Sequence, residues 1–221
     1  MSALLQADRL YRFFHAGDDE TLALQGISMR VDAGEIVAVT GPSGSGKSTL
    51  LACLAGLDEP DGGSVHVAGQ RLSRRPEEER ARLRAEHIGV LFQQFNLVGH
   101  LSVEQNVAIA QQLGRRGPAA ADRTEILERC EIEHRAHARP SRLSGGELAR
   151  AGLAVALANA PDVVLADEPT GELDGTTAHR LLRLLRQHAA EGAAVLIVTH
   201  SNEVASAADR EIRLRDGKVE A

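Results

Sequence analysis

Two kinds of hydrophobic pattern divide the chain. Residues 7–14 and 22–31 alternate polar and apolar positions, with the turn-forming Gly17-Asp18-Asp19 between them. That alternation predicts an antiparallel hairpin with one buried face. Elsewhere the apolar positions come in unbroken short runs, at residues 36–39, 87–92, 162–166 and 194–199. Such runs suit strands buried on both faces, as in a parallel sheet covered by helices. Between them the spacing turns helical. Pro76 followed by Glu77, Glu78 and Glu79 opens a charged helix, with proline and acids in the first turn. Ala178, Leu181, Leu182, Leu185 and Ala189 recur on one helical face, with Arg180, Arg183 and Arg186 on the other. Residues 64–68 before Gly69, and 211–214 before Asp216-Gly217, predict two further short strands.

From residue 95 to about 142 the pattern changes to short helices with polar gaps, with helix starts at Ser102–Gln105 and at Gly117-Pro118. We read residues 1–221 as one α/β domain. It has a mostly parallel sheet core, an antiparallel β subdomain and an inserted α-helical subdomain over about 95–155.

The four apolar runs end in Thr40, Gln93, Asp167-Glu168 and His200. Ligands of open parallel sheets sit at the carboxyl ends of the strands, so these polar residues converge on one place. Taken singly, Gln93 and His200 also read as satisfied polar residues at strand ends, and Asp167-Glu168 as a helix-capping pair. The recurrence favours a site.

The first run leads into Gly41-Pro42-Ser43-Gly44-Ser45-Gly46-Lys47-Ser48-Thr49. Four residues between Gly41 and Gly46-Lys47-Ser48 make the phosphate-binding loop pattern. Glycines let successive backbone N–H groups turn inward around a phosphate. The helix beginning near Lys47 adds the positive end of its dipole. Lys47 supplies a charge for β/γ oxygens and Ser48 a hydroxyl for Mg²⁺. The chain is therefore expected to bind a nucleoside triphosphate. Asp167 is the expected Mg²⁺ partner, Glu168 can orient and deprotonate an attacking water, Gln93 can ligate metal or water, and His200 can hydrogen-bond the γ-phosphate.

Composition narrows the partners. The formal net charge of −6 and an aromatic content of 2% argue against a basic or base-stacking nucleic-acid surface. Lys47 and Lys218 are the only lysines, which makes Lys47 chemically conspicuous. Cys53 and Cys130 sit in helical patterns, and no apolar run approaches a membrane span. The N-terminal stretch lacks a signal-peptide pattern, so a cytoplasmic location is expected.

Leu143-Ser144-Gly145-Gly146-Glu147 reads first as a capping box, Ser144 with Glu147, opening a helix through residue 157. Yet two glycines in a first turn cost about 1 kcal/mol each against alanine. Bare N–H groups at a helix start suit a close phosphate. The loop at 41–49 already holds the phosphates from its own side. A second anion-binding helix end points to a head-to-tail dimer enclosing two ATP.

In their order, these stretches resemble an ATP-binding cassette (ABC) ATPase over nearly the whole chain. The resemblance implies a P-loop NTPase fold and ATP hydrolysis. It makes 41–49 the Walker A loop, Gln93 the Q-loop glutamine and LSGGE at 143–147 the signature. VVLADE at 163–168 would be Walker B, GELD at 171–174 the D-loop and His200 the switch histidine. It also implies that Tyr11 stacks on adenine, that Ser48, Gln93 and Asp167 hold Mg²⁺, and that Ser144, Gly145 and Gly146 reach the ATP of the partner chain. The similarity extends to the lipoprotein-release and macrolide-export group, whose ATPase lies on the inner face of the cell membrane and drives separate transmembrane permease subunits. A cassette driving a non-transporting envelope or cell-division machine remains the alternative. A soluble DNA-repair or translation ATPase would show a coiled-coil insertion, zinc cysteines or a second cassette, and none occurs here. Leu148-Ala149-Arg150, Val155 and Glu172 depart from the family's pattern, all beside the expected dimer interface.

Overall fold

The computed structural model describes residues 3–16, 19–94, 96–114 and 122–220. The hairpin turn at Gly17-Asp18, Phe95 and the expected helix start at Gly117-Pro118 lie outside the described residues.

The alternating segments pair as β1 (Ala3–Ala16) and β2 (Asp19–Asp32), each longer than the pattern predicts. Leu5, Ala7 and Leu10 of β1 and Leu24, Ile27 and Val31 of β2 are buried, with the alternation broken between Ala7 and Leu10 and between Leu24 and Ile27. The register slips between Ala3 and Leu5, between Ala7 and Leu10, between Leu10 and Tyr11 and between Arg12 and Phe13, so strict parity fails along β1. Two more strands complete this antiparallel sheet, β4 (Gly62–Val67) against β1 and the short β5 (Gln70–Arg71).

The unbroken apolar runs become β3 (Ile36–Thr40), β6 (Ile88–Leu91), β7 (Val163–Asp167) and β8 (Ala194–Val198). With β9 (Arg210–Arg215) and β10 (Lys218–Val219) they form a second sheet of order β10-β9-β3-β8-β7-β6, parallel except for β10. Why the runs are continuous is visible in the packing. Val37, Val39, Leu165, Leu196 and Val198 face one core with Leu50, Leu51 and Leu54 of α1 (Lys47–Leu54). Ile36, Val164, Ala166, Val195 and Ile197 face the other, against α5 (Gly145–Ala156) and α6 (Gly175–Ala190). Neighbouring residues of one strand thus serve opposite cores, and neither face has room for a polar group.

The remaining helices are α2 (Glu77–His87), α3 (Val103–Gly114), α4 (Arg123–Arg129) and the short α7 (Asn202–Ser206). Pro76 precedes α2, and Glu77, Glu78 and Glu79 fill its first turn. Ser102 and Gln105 cap each other at α3, with backbone-to-side-chain distances of 2.9 and 3.2 Å. Between β6 and β7 the described residues contain helices and short 3₁₀ turns but no strand. On α6, Leu184 and His188 join the predicted inward face, while Arg180 and Arg183 pair with Glu131 outside it. Among the described residues no helix is long and apolar enough to cross a membrane.

Candidate functional site

β3 ends at Thr40, whose hydroxyl donates to Glu211 of β9 at 2.6 Å. Immediately after it the chain has no room for a side chain. A Cβ on Gly41, at φ +145, would lie 2.1 Å from the Leu214 carbonyl oxygen. Gly46, at φ +98, starts α1 in a left-handed conformation, and a Cβ there would lie 2.5 Å from the Ala23 carbonyl. No side chain caps α1, so its first N–H groups are left for a ligand. Lys47 Nζ donates to the carbonyls of Gly41 and Pro42 at 2.8 and 2.9 Å, which tethers the ammonium at the loop and leaves its third hydrogen for the cleft.

The loop floors a cleft of about 640 Å³. Gly41, Ser43, Gly44, Gly46, Lys47, Ser48 and Thr49 line it, and so do Gln93, Asp167, Glu168 and His200 from the ends of β6, β7 and β8. The four strand ends therefore meet, as the pattern of runs predicts. Pro42 and Ser45 are not in the lining: Pro42 closes the loop by accepting from the Ser45 N–H at 3.2 Å, and Ser45 is buried.

The carboxylates differ in setting. Asp167 is half-buried, and burial together with neighbouring Glu168 pushes its pKa up, against an opposing pull from Lys47. A bound cation would relieve both causes. Glu168 adopts φ +45, and its N–H donates to the Val198 carbonyl at 2.9 Å. Its side chain is held from β8: Oε2 accepts from the Thr199 hydroxyl at 3.1 Å and Oε1 pairs with His200 Nδ1 at 2.7 Å. Thr199 is fully buried, and its Oγ1 also accepts from the Ser201 N–H at 3.0 Å. An ionised carboxylate only accepts, so the contact with Glu168 calls for a proton on His200 Nδ1.

Tyr11 requires correction. It does not line the cleft; its ring lies across Gly26 and Gly62, where added Cβ atoms would come within 2.8 Å of its hydroxyl and 3.1 Å of its ring. Phe14, three residues on, lines the cleft instead, together with Leu22 of β2. The register slips along β1, two of them between Leu10 and Phe13, turn this residue to a face that parity cannot assign. The sequence pattern also passes over Thr199 as a site residue, and Asp216 and Gly217, which line the cleft from the β9–β10 turn.

Ser144, Gly145 and Gly146 do not line this cleft. Ser144 caps α5 in the expected box: Ser144 Oγ accepts from the Glu147 N–H at 3.3 Å, and Glu147 Oε2 accepts from the Ser144 N–H at 2.8 Å. That backbone hydrogen bond, helped by Arg135, holds the Glu147 carboxyl down at about 2. The glycines differ from each other. A Cβ on Gly146 would meet Thr177 Cγ2 at 2.5 Å, so packing alone requires it. Gly145 has only Leu173 within reach, at 3.8 Å.

The comparisons with known proteins agree with this geometry. Residues 24–171 match the ABC transporter family. The chain is 46% identical over 220 residues to the macrolide export ATP-binding/permease protein MacB of Burkholderia thailandensis, covering 98% of this chain and 33% of that protein. It is 42% identical over 221 residues to MacB of Shigella flexneri, covering 99% and 34%. The chain thus spans about a third of the length of these curated relatives. Among solved structures it is similar to the dimeric ATP-binding cassette MJ0796 in a post-hydrolysis state with ADP and Pi, at a TM-score of 0.90 and 35% identity, over 98% of this chain and 97% of that one. With the loop, the carboxylates and the histidine gathered in one cleft, the chain belongs to the ABC transporter family, as an ATPase cassette.

Proposed function

We propose that this chain hydrolyses Mg-ATP in the cleft at the strand ends and uses the cycle to drive transmembrane permease subunits of a macrolide-export or lipoprotein-release type. The observation that carries the reading is the meeting of the Lys47 loop, Asp167, Glu168, Gln93 and His200 in one cavity. The triphosphate lies along residues 41–49, against the α1 N-terminus, with the base on Phe14.

Glu168, fixed by Thr199 and His200, takes a proton from water as the water oxygen attacks the γ-phosphorus, and the bond to the ADP oxygen breaks. The donors for a cation are hard oxygens and suit Mg²⁺: the Ser48 hydroxyl, the Asp167 carboxylate and the Gln93 amide oxygen. Among the described residues no cluster of three or more His, Cys, Asp or Glu could hold a metal. That fits an ion completed by water and phosphate oxygens and not by a protein cage. Bound there, Mg²⁺ would neutralise charge on the transferring phosphoryl group.

A second copy brings Ser144 and Gly145 to the far side of the γ-phosphate. The solved relative MJ0796 is dimeric. Val98, before α3, and Ile109 and Leu113, on it, are exposed apolar residues of the segment that follows Gln93, and offer the permease a docking face at the inner surface of the membrane. Glu168→Gln tests the mechanism. Steady-state turnover should fall at least about 100-fold while ATP affinity is kept and ATP-bound dimers accumulate on size exclusion. Turnover at the wild-type rate would remove Glu168 from the base role.

A further inference from the structure

We infer that Arg12 is a positioning residue for the nucleotide base, acting through the Phe14 ring. The inference rests on the reading above that Phe14 is the base platform. The Arg12 guanidinium stands 4.8 Å from the centroid of that ring. Phe14 is 43% exposed and lines the cleft, whereas Arg12 does not line it, so Arg12 backs the ring and leaves the other face open.

The guanidinium is held on three sides. Nε and Nη2 donate to the two oxygens of Asp58 at 2.8 and 2.9 Å, and Nη1 donates to Asp61 at 3.1 Å. Asp61 also accepts the Phe13 backbone N–H at 2.8 Å, so the strand and the side chain are fixed together. A forked pair of this kind sets the plane of the cation as well as its position.

Asp58 and Asp61 lie in the segment joining α1 to β4. α1 is the helix that begins at the phosphate loop. One arginine therefore ties the wall that carries the base to the element that carries the phosphates. Two effects on binding follow. The ring is fixed before nucleotide arrives, so less ordering cost falls on the complex. The positive charge behind the ring also draws density from its open face, which favours an electron-rich purine stacked there.

A merely structural salt link predicts something different, namely a loss shared by every ligand of the site. The experiment compares Mg-ATP with inorganic tripolyphosphate by calorimetry. The proteins are wild type, Arg12→Met, Arg12→Lys, Asp58→Asn, Phe14→Ala and the Arg12→Met/Phe14→Ala pair. Arg12→Met should weaken ATP about 3- to 10-fold and tripolyphosphate less than about 2-fold, the range expected for a partly desolvated cation on a ring. Arg12→Lys should recover part of the loss. Asp58→Asn, which keeps the charge but frees it, should weaken ATP in the same selective way. On the Phe14→Ala background Arg12→Met should cost nothing more.

Wild-type ATP affinity in Arg12→Met would overturn the inference. So would an equal loss for tripolyphosphate, or additivity with Phe14→Ala. If Phe14→Ala binds ATP as wild type while Lys47→Ala does not, the base platform itself is wrong, and the inference falls with it for that separate reason.

Discussion

His188 sits on α6 with 8% of its surface exposed, and neither ring nitrogen finds a partner at hydrogen-bonding geometry among the described residues. Burial pushes its pKa down, against weaker upward pulls from the Pro161 carbonyl and Glu191. The sign of the consequence is fixed. Above the unfolded value of 6.5 the ring is neutral in both states and contributes no pH dependence. As pH falls below 6.5 the unfolded chain takes the proton first, so stability declines until the lower folded value is passed. His188→Leu should flatten the stability profile in that window by at most about 1.4 kcal/mol per pH unit, the slope of one proton. Urea titrations at pH 7.5 and 5.5 would measure it; an unchanged slope would show that the ring does not titrate with folding.

Other single residues mark the limit of what the pattern can say. Lys47, Asp167, Glu168 and His200 are legible because each ends or follows an apolar run. Phe14 is not, because two register slips break the alternation between Leu10 and Phe13, and Tyr11 is nearly as exposed, at 40% against 43%. Thr199 is hidden for another reason. A hydroxyl at the end of a buried strand looks like filling until the carboxylate it holds is seen 3.1 Å away.

At the scale of elements, α5 separates two uses of glycine that the sequence presents as a pair. Gly146 is needed by packing, since Thr177 cannot swing aside without giving up its hydroxyl bond to Asp174 at 2.7 Å. Gly145 has open space around its position. Gly145→Ala should therefore leave the fold intact, and can stabilise α5 by up to about 1 kcal/mol through helix propensity. It should nevertheless weaken ATP-driven dimerisation, because in the proposed dimer the added methyl would stand where the partner's phosphate approaches. Gly146→Ala should instead lower the melting temperature. Thermal denaturation and size exclusion with ATP distinguish them, and a reversed order of effects would remove the argument for Gly145.

The strands themselves are the most legible elements of the chain. β3, β7 and β8 are buried on both faces by different helices, so the residues before the polar strand ends Thr40 and Asp167 are all apolar. Their lengths and the extent of β1 and β2 are less legible, because hairpin pairing is set by the backbone and continues beyond the alternating stretches on both sides.

For the whole molecule, the expected unit of work is two chains. Ser144, Gly145 and Gly146 lie outside the cleft of their own chain, so the proposed contact between them and a nucleotide requires a second copy. Ser144→Arg should keep ATP binding to the single chain within about 3-fold, since the loop at 41–49 is untouched, and should abolish ATP-dependent dimers. Light scattering with and without Mg-ATP in a Glu168→Gln background would show this. Dimers that persist in the arginine variant would separate α5 from the interface.

The neighbours of β3 carry a consequence for biosynthesis. This strand leads into the phosphate loop, yet it pairs with residues 195–198 on one side and 210–213 on the other. The loop is further clamped by the last turn: the Gly217 N–H donates to the Ser45 carbonyl at 3.2 Å, and the Gln25 N–H donates to the Gly217 carbonyl at 2.7 Å. On the ribosome, residues 41–49 leave the exit tunnel long before any of these supports exists. The contacts that frame the loop are therefore complete only once residues 195–217 have been made and docked, so nucleotide is not expected to template the folding of the residues before them. The framed loop is thus expected to follow, and not precede, the docking of both parallel neighbours and of the turn at Gly217.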